Sequence, residues 1–122
     1  MDNATVLKRK GYLKGSIVRV YMHNFLTFDD AEVLPGPRLN VLLGPNGTGK
    51  STVTHAICLA CGGAPKTVGR SDDLFQFVKR GKENEISFCE VGILRDSDVV
   101  TVRRTISSEN RSSKWTIDGK LV

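Results

Sequence analysis

Residues 44–51 read Gly44-Pro45-Asn46-Gly47-Thr48-Gly49-Lys50-Ser51, with Thr52 next, and fit the phosphate-binding loop G-x-x-x-x-G-K-[ST]. Each fixed position has a physical task. The glycines let the chain turn tightly and bring backbone N–H groups against phosphate oxygens. Lys50 places a compact positive charge where β- and γ-phosphates would lie. The Ser51 hydroxyl is suited to ligate Mg²⁺, which bridges the same two phosphates. A helix starting here adds its positive dipole end and unpaired N–H groups to the anion site.

The flanks have the form that such a loop needs. Leu39-Asn40-Val41-Leu42-Leu43 precedes it and reads as a buried strand, a short apolar run without polar alternation. After it, Val53, Ala56, Ile57 and Ala60 fall on one face of a helix, and Gly62-Gly63 supplies a stop.

Composition sets outer limits. The 122 residues are 39% hydrophobic and 25% charged, ordinary for one globular domain or part of one. No apolar run approaches the length of a membrane span, and the start lacks the apolar core of a secretory signal. No membrane partner is expected. The three cysteines suggest no disulfide framework. Cys58-x-x-Cys61, with His55 upstream, invites a metal reading, but helical positions i, i+3 and i+6 fan around the cylinder at about 100° per residue. Cys58 and Cys61 are expected instead as small apolar fillers.

The formal charge of +5 is uneven. Lys8, Arg9, Lys10, Lys14 and Arg19 form one basic group. Lys66, Arg70, Lys79, Arg80 and Lys82 form a second, and Arg103, Arg104, Arg111 and Lys114 a third. Such groups suit a polyanion such as DNA, and they equally suit solvated faces.

Along the chain, residues 1–14 are expected as a loose basic tail, and residues 15–122 as the ordered unit. Residues 16–22 are β-rich, and residues 23–28 continue that strand or turn at Asn24. Asp29-Asp30 suggests a turn before a return strand over 31–34. Residues 72–78 suit a short helix capped by Ser71. Residues 85–94 and 99–106 read as partner strands around Arg95-Asp96-Ser97-Asp98. A polar loop follows over 107–113, and Asp118-Gly119 marks a final hairpin. Hydrolysis needs a second acidic Mg²⁺ ligand at the end of a hydrophobic strand. Gly92 and Arg95 spoil the one approach to it, which ends at Asp96.

The loop, with its Asn-Gly-x-Gly-Lys-Ser core, resembles that of the ABC-type ATPases. Its flanks narrow the resemblance. Gly15-Ser16-Ile17-Val18-Arg19, Asn24-Phe25-Leu26-Thr27-Phe28 and Pro35-Gly36-Pro37-Arg38-Leu39-Asn40 are similar to the opening of the structural maintenance of chromosomes (SMC) ATPases. Residues 56–66, Gly69-Arg70 and Phe77-Val78-Lys79-Arg80-Gly81 look most like the fifth-subunit type of the DNA-repair SMC complex.

The resemblance implies an α/β fold, an incomplete ABC-type P-loop NTPase half-head with a β-rich lobe wrapped on the phosphate-loop strand and helix. It implies ATP and Mg²⁺ as cofactors and Arg70 near the nucleotide and bound DNA. The implied partners are a C-terminal half-head of the same protein, a sixth-subunit-type SMC partner and a kleisin-type subunit, on the chromosome in the nucleus. The family's glutamine loop, signature motif and acidic strand do not occur in these 122 residues, so hydrolysis is expected only from the complete head. Two other readings stay open: a nucleotide-binding fragment of an ABC transporter or other ABC-type ATPase, and a basic nucleic-acid-binding module.

Overall fold

The computed structural model describes residues 3–26, 28–36, 50–62 and 74–122, with the backbone alone for 3 and 50–52. Six strands among them build one sheet: β1 (Ile17–Phe25), β2 (Phe28–Val33), β3 (Ile86–Leu94), β4 (Val99–Ser107), β5 (Ser112–Ile117) and β6 (Lys120–Leu121). Their order is β2-β1-β3-β4-β5-β6, and every neighbouring pair is antiparallel. The chain therefore leaves the sheet after β2 and returns beside β1 as β3, and the phosphate-loop motif falls within that excursion.

Two helices occupy opposite faces. α2 (Lys50–Ala60) lies across β1 and β3. Its Val53, Ala56, Leu59 and Ala60 join Val20, Met22, Phe25, Phe77, Cys89 and Val91 in one buried cluster. The sequence places Ile57 on the packed face. In the structure Leu59 is fully buried and Ile57 only half-buried. Ile57 still packs against the cluster from its edge, so the apolar stripe is wide enough to hold both.

The other face is covered at one end by α1 (Asn3–Arg9). Ala4 is buried there against Val18 and Leu94, with Leu7, Tyr12 and Val99 around them. The Lys8 ammonium donates to the Asp96 carbonyl, and Lys14 pairs with the Asp96 carboxylate at 3.2 Å. Residues 1–14 thus carry a docked helix where a loose tail is expected. The anchor is a single i, i+3 apolar pair, Ala4 and Leu7, too short a pattern to register as a helix by periodicity.

Other local expectations shift by a few residues. Asp29 and Asp30 lie inside β2 rather than in a turn. Both are exposed, and each finds a partner across the sheet. Asp30 accepts from the Tyr21 hydroxyl at 2.7 Å and lies 2.8 Å from His23 Nδ1, and Asp29 accepts from Lys79. These contacts hold both aspartates below the usual carboxylate range, through the hydrogen bonds first and neighbouring charge second. The residues expected as a loop over 107–113 narrow to a turn around Asn110, and β5 begins at Ser112. The helix expected over 72–78 is a 3-10 turn at Leu74–Phe77 within the described residues.

Leu59 is fully buried between α2 and the sheet. Leu59→Ala should lower stability by about 2–5 kcal/mol, the usual cost of a buried cavity, read from chemical denaturation of wild type and variant.

Candidate functional site

The motif's lysine opens α2: the helix runs from Lys50, with Ser51 and Thr52 in its first turn. Residues 44–49 and Arg70 lie outside the described residues. The described part of the motif is the backbone of the helix start. Residues 50–53 form the first turn, where N–H groups have no partner inside the helix. From Val53 to Ala60 one side of the helix is buried on the sheet, through Val53, Ala56, Leu59 and Ala60. No acidic side chain stands in the first turn to compete for the site. A helix start of this kind, without an acidic residue in its first turn, attracts anions in general.

The far end of α2 is held by the sheet. Arg104 of β4 is buried, with its guanidinium 4.1 Å from the Trp115 ring centroid. It donates from Nη1 to the Leu59 carbonyl at 3.4 Å and from Nε to Ser113 Oγ at 2.9 Å. Trp115 Nε1 donates to the Ala60 carbonyl at 3.2 Å. Burial lowers the Arg104 pKa from its ordinary value, yet arginine remains charged at any working pH. The sequence reading counted Arg104 only as one member of a basic group. The missed signal is its position between Val102 and Ile106 on the inward side of a strand, where a cation needs a reason.

Two of the family-like segments meet in space. The Phe25–Val78 pair forms a β-bridge, the Leu26 N–H donates to the Phe77 carbonyl at 2.7 Å, and the Lys79 N–H donates to the Asn24 carbonyl at 2.8 Å. Asn24 makes the joint possible. It is buried in a left-handed conformation (φ 48°) and donates from Nδ2 to the Ile86 carbonyl at 3.2 Å. Asparagine tolerates that conformation far better than most residues. Lys79 is committed to Asp29. Arg80 is exposed.

The outer face of the sheet carries a polar network. Glu90, nearly buried, sits between Arg103 (2.7 Å) and Arg19, and Arg19 also reaches Glu32 at 2.7 Å. Burial alone would lower the Arg19 pKa, but its bonds to Glu32 and Glu90 outweigh it and hold it above the ordinary value. Arg103 lies over Phe88, 3.9 Å from the centroid, and Phe88 stacks with Tyr21 and His23. Arg19 and Arg103 are therefore engaged within the sheet.

Among the described residues no group of three potential metal ligands occurs. Cys61 is exposed and Cys58 only half-buried, so they are not the buried fillers expected; Cys58 lies outside the buried cluster of α2, and Cys61 falls just past the helix end. His55 is buried edge-on against Phe77. Burial pushes the Cys89 thiol up to about 12, so it stays protonated. Asp96 lies exposed in the β3–β4 turn, paired with Lys14. No helix among the described residues is long and apolar enough to cross a membrane.

Replacing Asn24 by valine puts a β-branched residue at positive φ and removes the bond to Ile86. We expect a loss of about 1–3 kcal/mol. Asn24→Gly, which keeps the backbone geometry, should lose less; thermal melts of both variants compare them.

Comparison with known proteins agrees with this geometry. The family described as AAA domain matches residues 19–122. Structural maintenance of chromosomes protein 5 from Schizosaccharomyces pombe is 46% identical over 102 residues, 84% of this chain and 9% of that protein. The Arabidopsis thaliana protein of the same name is 38% identical over 112 residues, 91% of this chain and 10% of its own. The chain thus spans about a tenth of the curated relatives it matches. Among solved structures, a chain from work on ATP-driven dimerization and DNA-stimulated activation of SMC ATPases superposes with a TM-score of 0.74 at 19% identity. It covers 87% of this chain and 71% of that one. An Smc head bound to the C-winged helix domain of ScpA gives 0.74 at 19% identity, covering 87% and 36%. At that identity the likeness shows the fold alone, an ABC-type P-loop head of which this sheet-rich unit is a part. The chain belongs to the AAA domain family of ATPases, and over most of its length it matches the fifth-subunit type of the SMC proteins.

Proposed function

We propose that this chain is the ATP-binding N-terminal segment of an SMC-type head, in a subunit acting in chromosome maintenance and DNA double-strand-break repair in the nucleus. The observation that carries the reading is the start of α2 at Lys50, directly after Gly44-Pro45-Asn46-Gly47-Thr48-Gly49, with its opposite end buried on the sheet. Backbone N–H groups of the loop and first helical turn bind the phosphates, Lys50 neutralises them, and Ser51 supplies a hydroxyl to Mg²⁺. Pro45, Asn46, Thr48 and Thr52 complete the cradle. Bound Mg²⁺ draws charge from the β- and γ-phosphates.

The remaining parts come from elsewhere in this reading. A C-terminal half-head of the same protein supplies the acidic strand. A sixth-subunit-type partner head closes the site, and a kleisin-type subunit joins the assembly. An apolar groove of about 370 Å³ on the α2 side of the sheet suits the half-head. It is lined by Ala60, Ile93, Val102, Trp115, Ile117 and Val122, of which Ile117 and Val122 are exposed. DNA contacts go through Arg70, with the exposed Arg80 not far along the chain and Lys79 joining only by exchanging Asp29 for a phosphate, and they reach phosphates rather than bases.

In the complete protein, Lys50→Ala should weaken Mg-ATP binding by at least about 1.5–3 kcal/mol, since it removes a charge-assisted contact. Equilibrium titration with a labelled nucleotide measures this, and unchanged affinity would refute the assignment. For DNA, combining Arg70→Ala with Lys79→Ala and Arg80→Ala in the assembled heads should weaken binding to all sequences alike. The slope of log affinity against log salt should flatten by up to about one unit per lost contact; an unaltered slope assigns these residues to the fold or the nucleotide.

A further inference from the structure

A phosphate-binding helix start works only if the helix is held in place, and α2 is held at its far end by two side chains that the nucleotide never touches. Its C-terminal carbonyls would otherwise lack partners inside the helix. The Cys61 N–H satisfies the Ile57 carbonyl at 3.1 Å, and the Gly62 N–H reaches the Leu59 carbonyl at 3.3 Å. The sheet then adds Arg104 to the Leu59 carbonyl and Trp115 to the Ala60 carbonyl. Arg104 and Trp115 face each other as a cross-strand pair of β4 and β5, stacked ring on guanidinium. The β4–β5 hairpin thereby grips the helix end as one unit.

Distance decides how this grip bears on the phosphates. Nine to ten steps at a rise of about 1.5 Å put Leu59 and Ala60 roughly 14–15 Å from Lys50. At that separation two unit charges interact by only about 0.3–1 kcal/mol for effective dielectric constants of roughly 80–20, so the arginine charge adds little direct attraction beside a contact. Position is another matter. A tilt of about 5° about the held end moves the other end of such a helix by roughly 1.3 Å. Hydrogen bonds to phosphate operate over a window of about 0.5 Å, so a displacement of that size breaks them.

We propose that Arg104 and Trp115 are positioning residues for the nucleotide: by clamping the Leu59 and Ala60 carbonyls they set the direction of α2 and so the place of its Lys50 end. The proposal rests on the nucleotide reading above. Arg104 and Trp115 act through the helix and touch no nucleotide themselves.

The test uses the complete protein and compares Trp115→Phe, Arg104→Met, Arg104→Lys and Lys50→Ala with wild type. Mg-ATP affinity is measured at a temperature well below every variant's melting point. Trp115→Phe keeps an aromatic ring under Arg104 and removes only the N–H donor, so it should fold and bind Mg-ATP about three- to tenfold more weakly. Arg104→Met should lose at least about tenfold. Arg104→Lys, which keeps a cation on the tryptophan and one donor, should recover a large part of that loss. A purely structural cap would instead lower the melting temperature and leave the affinity of the folded protein unchanged. Wild-type affinity in Trp115→Phe and Arg104→Met, with Lys50→Ala impaired, overturns the clamp and leaves the nucleotide site standing. Wild-type affinity in Lys50→Ala removes the nucleotide reading and the clamp with it.

Discussion

The burial of Val53, Ala56, Leu59 and Ala60 against Val20, Met22, Cys89 and Val91 is the contact on which the remaining geometry depends. It joins the excursion between β2 and β3 to the two strands that flank it. Each large apolar side chain withdrawn there contributes about 1.5–3 kcal/mol. The small residues Ala56 and Ala60 let the helix approach the strands closely. Because β1 and β3 are neighbours although sixty residues separate Phe25 from Ile86, closing this excursion costs conformational entropy before any of that burial is gained. The helix–sheet contact and the β1–β3 ladder offset that cost together, so neither stands without the other.

The two faces of the sheet are solved by different means. The inner face is closed by apolar packing and, toward β4 and β5, by Arg104 stacked on Trp115. The outer face is apolar only where α1 covers it, around Val18, Leu94 and Val99. Elsewhere it carries arginine–carboxylate pairs and stacked rings. Glu90 shows the logic: a nearly buried carboxylate is costly alone, and the flanking Arg19 and Arg103 satisfy both its oxygens. Arg19, Lys79, Arg95 and Arg103 all have acidic partners, so fewer cations are free for a polyanion than the basic residues of the sequence suggest.

The joint between residues 24–26 and 77–79 gives the family-like segments a physical meaning. The segments touch through the stack of Phe25 on Phe77. They are linked by backbone hydrogen bonds, which require the chain to turn left-handed at Asn24 and at Leu26 (φ 52°). The strain is local and is met by the Asn24 amide on the Ile86 carbonyl and by burial of Phe25 against Phe77. The same joint brings Lys79 to Asp29, so the loop after the 3-10 turn is fixed to the β1–β2 edge by both backbone and charge.

The sequence by itself determined those features whose physics is local. Glycine spacing, a lysine and a hydroxyl residue named the phosphate loop, and apolar spacing with Gly62 beyond it placed the helix that follows. Two-residue alternation and the Asp118-Gly119 pair located β3 through β6 within a few residues, because turn chemistry and strand period act over short spans. What only tertiary structure decided depends on partners distant in the chain. The seating of β3 beside β1, the full burial of Leu59 alongside Ile57, and the docking of α1 through Ala4 and Leu7 follow from which surfaces meet. Asp29 and Asp30 became strand residues because Lys79, Tyr21 and His23 stand across from them, and Arg104 became a helix clamp because Leu59, Ala60 and Trp115 converge on it. A one-dimensional pattern carries periodicity and propensity; it does not carry the third dimension in which a buried cation finds its carbonyls.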